Sequence, residues 1–159
     1  MTTFSVTGHM AISIDSFDLI RKALTELLQP HASDLVGVSC IARGSDTLFA
    51  EVVLELGGKL VVIMPSRNYR ERKVKPDHAP TFDRLLEAAS EVLTMDHDNA
   101  GKEAYESANR ELIRRANRMV AVWNGSPPTG KGGTADTIIE ARAAGVPVDV
   151  IWPAGASLG

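Results

Sequence analysis

The stretch "LVGVSCIARGSDTLFAEVVLELGGKLVVIM" (residues 35–64) contains one complete unit of the fold. It opens with an apolar run, Leu35–Ile41, and closes with another, Lys59–Met64. Between them lies a helical pattern whose apolar face is formed by Leu48, Val52 and Leu56. Gly57 and Gly58 stand where a helix commonly ends. Two strands joined by a helix in this way are predicted to be parallel neighbours in one sheet.

The same alternation of strand and helix patterns runs from one end of the chain to the other. Further strands are predicted at Phe4–Val6, Glu91–Met95, Met119–Trp123 and Val146–Trp152. Strands that are apolar throughout are buried on both faces, so helices must cover both sides of the sheet. The sequence therefore predicts an α/β fold over residues 1–159: a single domain, built as a three-layer sandwich around a mainly parallel sheet.

The composition is that of an ordinary globular protein. Hydrophobic residues make up 44% of the 159 residues, charged residues make up 23%, and the formal net charge is -3. Because nucleic-acid binding needs a concentrated basic surface, this balance disfavours a nucleic-acid partner. The single cysteine, Cys40, excludes an internal disulfide and a metal cluster built from cysteines.

The sequence also indicates where the protein is located in the cell and whether it binds a metal or a cofactor. Neither the first residues nor any later run has the pattern of a signal peptide or of a membrane span. We therefore expect a cytoplasmic protein without a membrane partner, and a homodimer is a possible assembly. The segment Asp96-His97-Asp98 has no other clustered ligands, so we interpret it as a surface turn and expect neither a metal nor a cofactor.

One connection, from Pro65 to Pro80, is longer than an ordinary loop between a strand and a helix. A connection of this length is expected to be functional or mobile. Its basic side chains are Arg67, Arg70, Arg72, Lys73 and Lys75. Such a run is either a solvated surface or a lid that closes over phosphates, and the pattern leaves both interpretations open.

Small and polar residues gather directly after the predicted strands. Gly8 and His9 follow the first strand, and Ser39 lies at the end of the second. The carboxyl ends of parallel strands meet at one edge of a sheet, and ligands bind there at the point where the strand order reverses. We therefore expect these residues to line one crevice.

The segment that precedes the last helix is suited to an anion. Gly132 and Gly133 carry no Cβ, so backbone N–H groups can face a phosphate directly. Thr134 is in position to cap the helix, whose N-terminus attracts negative charge. The alternative is a plain helix start, because glycine and threonine are favoured there in any case.

A second turn of similar build contains Arg43, Gly44 and Asp46. Here Arg43 either binds a phosphate or is solvated, and Asp46 either faces the ligand or caps a helix. Two further carboxylates, Asp136 and Glu140, are separated by four residues and share one face of the last helix. We expect both of them to look into the crevice.

These motifs resemble two known families. "SCIARGSDTLFAEVVLELGGKLVVI" is similar to the Ser-Gly-x-Ala-x-Gly-x-Asp segment of the Rossmann-like domain of DNA-processing protein A. The matching residues are Ser39, Ala42, Gly44 and Asp46, while Cys40 replaces the first glycine. "NRELIRRANRMVAVWNG" with "GKGGTADTIIEARAAGVPVDVI" resembles the C-terminal half of the Lonely Guy phosphoribohydrolases, which were often mislabelled lysine decarboxylases. Both families belong to the SLOG superfamily of nucleotide-binding, Rossmann-like domains.

The resemblance implies a Rossmann-like fold and leaves two functions open. In the Lonely Guy signature Pro-Gly-Gly-x-Gly-Thr-x-x-Glu, Gly133 and Thr134 match the Gly-Thr pair, and the glutamate falls on Thr137. One function is the binding of a nucleotide, or a nucleotide-derived small molecule, by phosphate-cradling loops. The other is hydrolysis of the N-glycosidic bond of a nucleoside 5′-monophosphate. For that reaction the candidate catalytic residues are Asp136, Glu140 and Arg110, the last near the family's arginine and expected to hold the phosphate. Asp46 is an alternative source of the carboxylate.

Overall fold

Six parallel strands form one sheet in the computed structural model, which describes residues 1–128 and 133–159. The strands are β1 (Thr2–Gly8), β2 (Leu35–Ser39), β3 (Lys59–Met64), β4 (Glu91–Thr94), β5 (Arg118–Val122) and β6 (Val148–Ile151). Their order across the sheet is β4-β3-β2-β1-β5-β6, and every neighbouring pair is parallel. This arrangement confirms the predicted α/β architecture.

Helices connect the strands, as parallel pairing requires. In the described part of the chain they are α1 (Phe17–Leu28), α2 (Ser45–Glu55), α3 (Tyr69–Lys73), α4 (Ala79–Ala88), α5 (Lys102–Arg115) and α6 (Thr134–Ala143). Two 3-10 segments, Ile14–Ser16 and Gln29–Asp34, flank α1. The observed start of α6 at Thr134 is the one that the glycines before it predict.

Side chains of the central strand alternate between two helical layers. Phe4 and Val6 of β1 are buried in the core that α1 and α2 cover. Ser5 points to the other face, where its hydroxyl donates to the carbonyl oxygen of Leu112 in α5 at 2.7 Å. The sheet therefore lies between α1, α2 and α4 on one side and α5 and α6 on the other.

The strand order reverses at β1. The chain first adds strands on one side of β1 through β2, β3 and β4, and then returns to the other side with β5. At the carboxyl end of this pair Gly8 lies in register with Val122. In an open parallel sheet this is the place where a crevice forms, because the helices on either side leave in opposite directions.

The connection after β3 has structure of its own. It contains the short helix α3, and the Tyr69 ring is only 5% exposed. This ring packs against Phe82 at 6.0 Å and against Tyr105 at 6.4 Å between ring centroids. The connection is therefore anchored to α4 and α5 by an aromatic side chain. Across the described ranges, no helix is both long enough and apolar enough to cross a membrane.

Candidate functional site at the carboxyl edge

A cavity of about 810 Å³ opens at the carboxyl edge of the sheet, beside the point where the strand order reverses. Its volume is in the range of small-molecule sites. The wall comes from the turn after β1, the turn after β2, the α3 region, α5, and the residues around the start of α6. The described lining residues that bear on function are Gly8, His9, Cys40, Arg43, Asp46, Tyr69, Lys73, Lys75, His78, Tyr105, Asn109, Trp123, Gly133, Thr134 and Thr137.

Gly8 and His9 bring the ends of β1 and β5 together, as the sequence led us to expect. A Cβ on Gly8 would lie 2.6 Å from Ser45 Oγ and 2.8 Å from the Val122 carbonyl oxygen, so only glycine fits. His9 Nε2 lies 3.1 Å from both the backbone nitrogen and Oδ1 of Asn124. His9 therefore holds the segment after β5 at the cavity.

The turn after β2 is held by a network of short hydrogen bonds. Ser39 is completely buried, and its Oγ donates to the Asp46 carbonyl oxygen and accepts from the Ile41 N–H. Ser45 donates from both its backbone nitrogen and its hydroxyl to the carbonyl oxygen of His9. Gly44 has φ 83°, which favours glycine, and packs against the backbone of residues 9 and 10.

These contacts correct two expectations about that turn and decide a third. Ser39 and Gly44 do not line the cavity but shape the turn that does. Asp46 does not cap α2, one of the two roles left open for it, because Gly44 occupies the N-cap position. Of the three residues that sequence reasoning grouped here, Arg43 and Asp46 do reach the cavity.

Asp46 is the carboxyl group of the cavity wall. Its Oδ2 accepts a hydrogen bond from the Ala42 N–H at 3.4 Å. Burial raises the pKa of this carboxyl to about 7, and the bond from Ala42 counters that effect only in part. Near neutral pH both protonation states of Asp46 are therefore populated, which suits a group that exchanges protons.

Two neighbouring acids of the cavity stay protonated. Burial raises the pKa of the Cys40 thiol, and the Asp46 charge raises it further. Burial also raises the pKa of Tyr69, with smaller contributions from Cys40 and Asp46. A thiol in this environment is a poor nucleophile, so Cys40 belongs to the apolar wall and not to the chemistry.

Basic side chains form a rim on the side of the cavity next to β2 and β3. Arg43 forms an ion pair with Asp77, while Lys73 and Lys75 make no ion pair with any residue that the structure describes. Beside them His78 packs its ring against Phe82 at 6.3 Å. The rim of the cavity therefore carries basic side chains although the net charge of the whole chain is negative.

The N-terminus of α6 forms the opposite wall. Gly133 is the N-cap residue, with φ -80° and ψ 177°, and an added Cβ would meet no atom of the described residues within 4 Å. Thr134 is the first helical residue and does not cap the helix with its side chain, which corrects the expected role of its hydroxyl. Thr137 instead bonds Gly133, its hydroxyl donating to that carbonyl oxygen at 3.1 Å. Gly132 lies outside the described residues.

The three proposed catalytic residues do not line this cavity. Glu140 is exposed, and Asp136 is on a different side of α6 from Thr134 and Thr137, which do line it. Arg110 is exposed as well, and its guanidinium lies 3.2 Å from Ser107 Oγ on its own helix. The buried face of α5 turns Asn109 toward the cavity and Arg110 away from it, because consecutive helical residues differ by about 100° in direction.

The connection after β3 supplies Lys73 and Lys75, which belong to the basic run for which the sequence left a lid over phosphates open. Sequence reasoning missed three other residues of the wall, His78 in the same connection and Tyr105 and Asn109 in α5. Within the described residues, no group of three or more His, Cys, Asp or Glu side chains is placed to hold a metal ion.

Comparison with known proteins establishes the fold. No family model matches the chain, and no curated protein matches its sequence. DNA processing protein A from Streptococcus pneumoniae superposes with a TM-score of 0.72 at 19% identity, over 98% of this chain and 52% of that chain. The same protein from Helicobacter pylori gives a TM-score of 0.70 at 16% identity, over 98% and 68%. The molybdenum cofactor carrier protein from Chlamydomonas reinhardtii superposes with a TM-score of 0.57 at 16% identity. The match covers 94% of this chain and 75% of the carrier protein.

These neighbours confirm the Rossmann-like fold that the two motifs led us to expect. The chain spans about half the length of the pneumococcal protein. At such low identities the likeness concerns the fold, and a ligand named for a neighbour belongs to that neighbour.

One expectation about partners is wrong. The negative net charge disfavoured nucleic acid, yet the Helicobacter pylori protein with this fold is described as binding single-stranded DNA. The physical reason is that binding depends on the local potential and not on the formal charge of the whole chain. Here Arg43, Lys73 and Lys75 gather at one cavity although the chain as a whole is acidic.

Proposed function

We propose that the cavity binds a nucleotide or a nucleotide-derived small molecule, with a phosphate at the N-terminus of α6. The observation that carries this proposal is the meeting of α6 with the cavity at the point where the strand order reverses. The first N–H groups of a helix have no partner within the helix and attract negative charge. Gly133 has no side chain to keep a phosphate away from them.

The remaining wall suits the rest of a nucleotide. Tyr105 and Trp123 offer aromatic surface to a base, and Asp46 offers a carboxylate to a sugar hydroxyl or a base N–H. Similar folds are found in a carrier of the molybdenum cofactor and in a protein that binds single-stranded DNA, so this fold accommodates ligands of these kinds. A cytoplasmic location and a homodimeric state stay predictions.

Replacement of Gly133 by valine tests the proposed phosphate site. Its φ of -80° with extended ψ is open to any residue, so valine there forces no disfavoured backbone angle. The branched side chain would stand in the cavity wall. We expect nucleoside monophosphate affinity to fall at least tenfold by calorimetry, which is about 1.4 kcal/mol.

Gly101→Val is the matched control, because Gly101 is the N-cap residue of α5, has open space around it and does not line the cavity. Its affinity should equal that of the parent. Binding by Gly133→Val at parental strength would contradict the phosphate site.

A second candidate is hydrolysis of the N-glycosidic bond in a nucleoside 5′-monophosphate. The observation in its favour is Asp46, a carboxyl in the cavity whose pKa lies near 7. Such a group can activate water or stabilise an oxocarbenium-like sugar. Incubation with a panel of monophosphates and chromatography for free base is the test. The activity is supported if the parent and Asp136→Asn release free base and Asp46→Asn does not. If the parent releases no base, the protein does not have this activity.

A further inference from the structure

The cavity has a second end that suits an anion. We propose that its ligand carries two phosphate groups, one on each side of a nucleoside, with the second phosphate bound by Lys73 and Lys75. This inference rests on the proposed nucleotide site and adds the class of nucleotide. The first phosphate would lie at the N-terminus of α6, as argued above.

The two ends lie over different strands of the sheet. Helix α6 packs beside β1, β5 and β6, whereas Lys73 and Lys75 belong to the segment that follows β3. Between β1 and β3 lies β2, so the two strands are about 10 Å apart at a spacing of roughly 4.8 Å per strand. Both ends nevertheless line the same cavity.

The charges of the connection after β3 are distributed unequally. Two of its arginines form ion pairs, Arg67 with Asp96 and Asp98 and Arg70 with Asp83, while the exposed Arg72 makes none with a described residue. Lys73 and Lys75 face the cavity and make no ion pair with any described residue. Two basic side chains of the connection that lack a described ion pair, Lys73 and Lys75, therefore lie where a ligand would bind.

The apolar and aromatic part of the cavity wall favours a nucleoside over a chain of adjacent phosphates. Leu112, Tyr105 and Trp123 form this part of the wall. Asp46 also lies in this wall, and its carboxylate repels a phosphate that is placed against it. Two phosphates are therefore better held apart by the sugar than joined in a diphosphate.

Calorimetry with three adenosine nucleotides tests this inference, and a guanosine series repeats it. The probes are the 5′-monophosphate, the 3′,5′-bisphosphate and the 5′-diphosphate, the last two carrying two phosphates each. We expect the bisphosphate to bind at least tenfold more tightly than the monophosphate, as one charge-assisted phosphate contact allows. The diphosphate should gain less than the bisphosphate does.

The double variant Lys73→Ala/Lys75→Ala should reduce the ratio of the two dissociation constants to nearly one. Lys59→Ala is the control, because Lys59 is an exposed lysine at the start of β3, on the opposite edge of the sheet. It should keep the parental ratio. A ratio that survives in the double variant would overturn the role of the two lysines.

The outcomes separate this inference from the function on which it rests. Equal affinity for monophosphate and bisphosphate in the parent overturns the second anion end and leaves the nucleotide site standing. No binding of any nucleotide overturns both. The middle nucleoside of a single-stranded trinucleotide also has a phosphate on each side. Tighter binding of the trinucleotide than of the bisphosphate would identify a DNA or RNA strand as the ligand, and weaker binding would identify a free nucleotide.

Discussion

The imidazole Nε2 of His78 lies 3.1 Å from the carbonyl oxygen of Ile41. Because a carbonyl oxygen only accepts, Nε2 is the donor in this bond. Ile41 is completely buried and has φ 48°, a left-handed conformation that is uncommon for a β-branched residue. The bond joins the connection after β3 to the turn after β2, so two walls of the cavity support each other.

Loss of this bond should destabilise the protein. His78→Ala leaves the Ile41 carbonyl without its side-chain donor, and we expect the free energy of unfolding to fall by about 1–3 kcal/mol. Urea denaturation followed by circular dichroism measures the change. His78→Gln restores an N–H donor at similar reach and should recover part of the loss. Parental stability in His78→Ala would show that the bond contributes nothing.

Three glycine-to-alanine variants separate backbone strain from steric overlap. Gly133 has φ -80° and Gly57 has φ 79°, and a Cβ on either would meet no described atom within 4 Å. Gly44 has φ 83° with the Met10 carbonyl oxygen where a Cβ would go. We expect Gly133→Ala to change stability by less than about 0.5 kcal/mol, and Gly57→Ala to lower it by roughly 1 kcal/mol. Gly44→Ala should lose the most. Denaturation midpoints measure the order, and equal midpoints for Gly57→Ala and Gly44→Ala would remove the steric contribution.

Much of this fold was predictable from the sequence, because its signals are local. Runs such as Lys59–Met64 are apolar at nearly every position, which is typical of strands covered on both faces. The start of α6 at Thr134 follows from the glycine before it and the amphipathic run after it. The convergence of Gly8, Arg43 and Gly133 on one cavity follows from their positions after parallel strands, whose carboxyl ends meet at one edge of the sheet.

The direction of individual side chains was not predictable in this way. Ser39 and Arg110 were expected at the ligand, but Ser39 is buried in the turn after β2 and Arg110 points to solvent. Alignment to a motif can be wrong by one residue. On a helix, neighbouring side chains differ in direction by about 100°, so such an error decides whether a side chain faces the ligand. His78 was missed for a different reason, since its contact with Ile41 joins segments that are 37 residues apart.

The pKa of Asp46 predicts how stability depends on pH. Burial raises this pKa from 3.8 to about 7 in the folded protein, so folding favours the protonated carboxyl. The contribution of Asp46 to stability is therefore full below about pH 4 and is lost as the pH rises through about 7. Asp46→Asn keeps an oxygen for the Ala42 N–H and removes the titration. Urea midpoints between about pH 5 and pH 8 should fall with pH in the parent relative to the variant. Parallel curves for the two proteins would contradict the raised pKa.

Two adjacent residues of α5 give the sharpest test of which helical face meets the ligand. Asn109 lines the cavity, while Arg110 is exposed and lies 3.2 Å from Ser107 Oγ. Both positions are in the middle of the helix, where alanine is well tolerated, so both alanine variants should fold. We expect Asn109→Ala to weaken nucleoside monophosphate binding by about two- to tenfold, the effect of one neutral hydrogen bond. Arg110→Ala should leave the affinity within about twofold, since a solvated guanidinium off the cavity wall contributes little. Calorimetry measures both affinities, and circular dichroism checks the helix content of each variant. A loss confined to Arg110→Ala would place its guanidinium on the phosphate, as the Lonely Guy resemblance implied, and would remove Asn109 from the site.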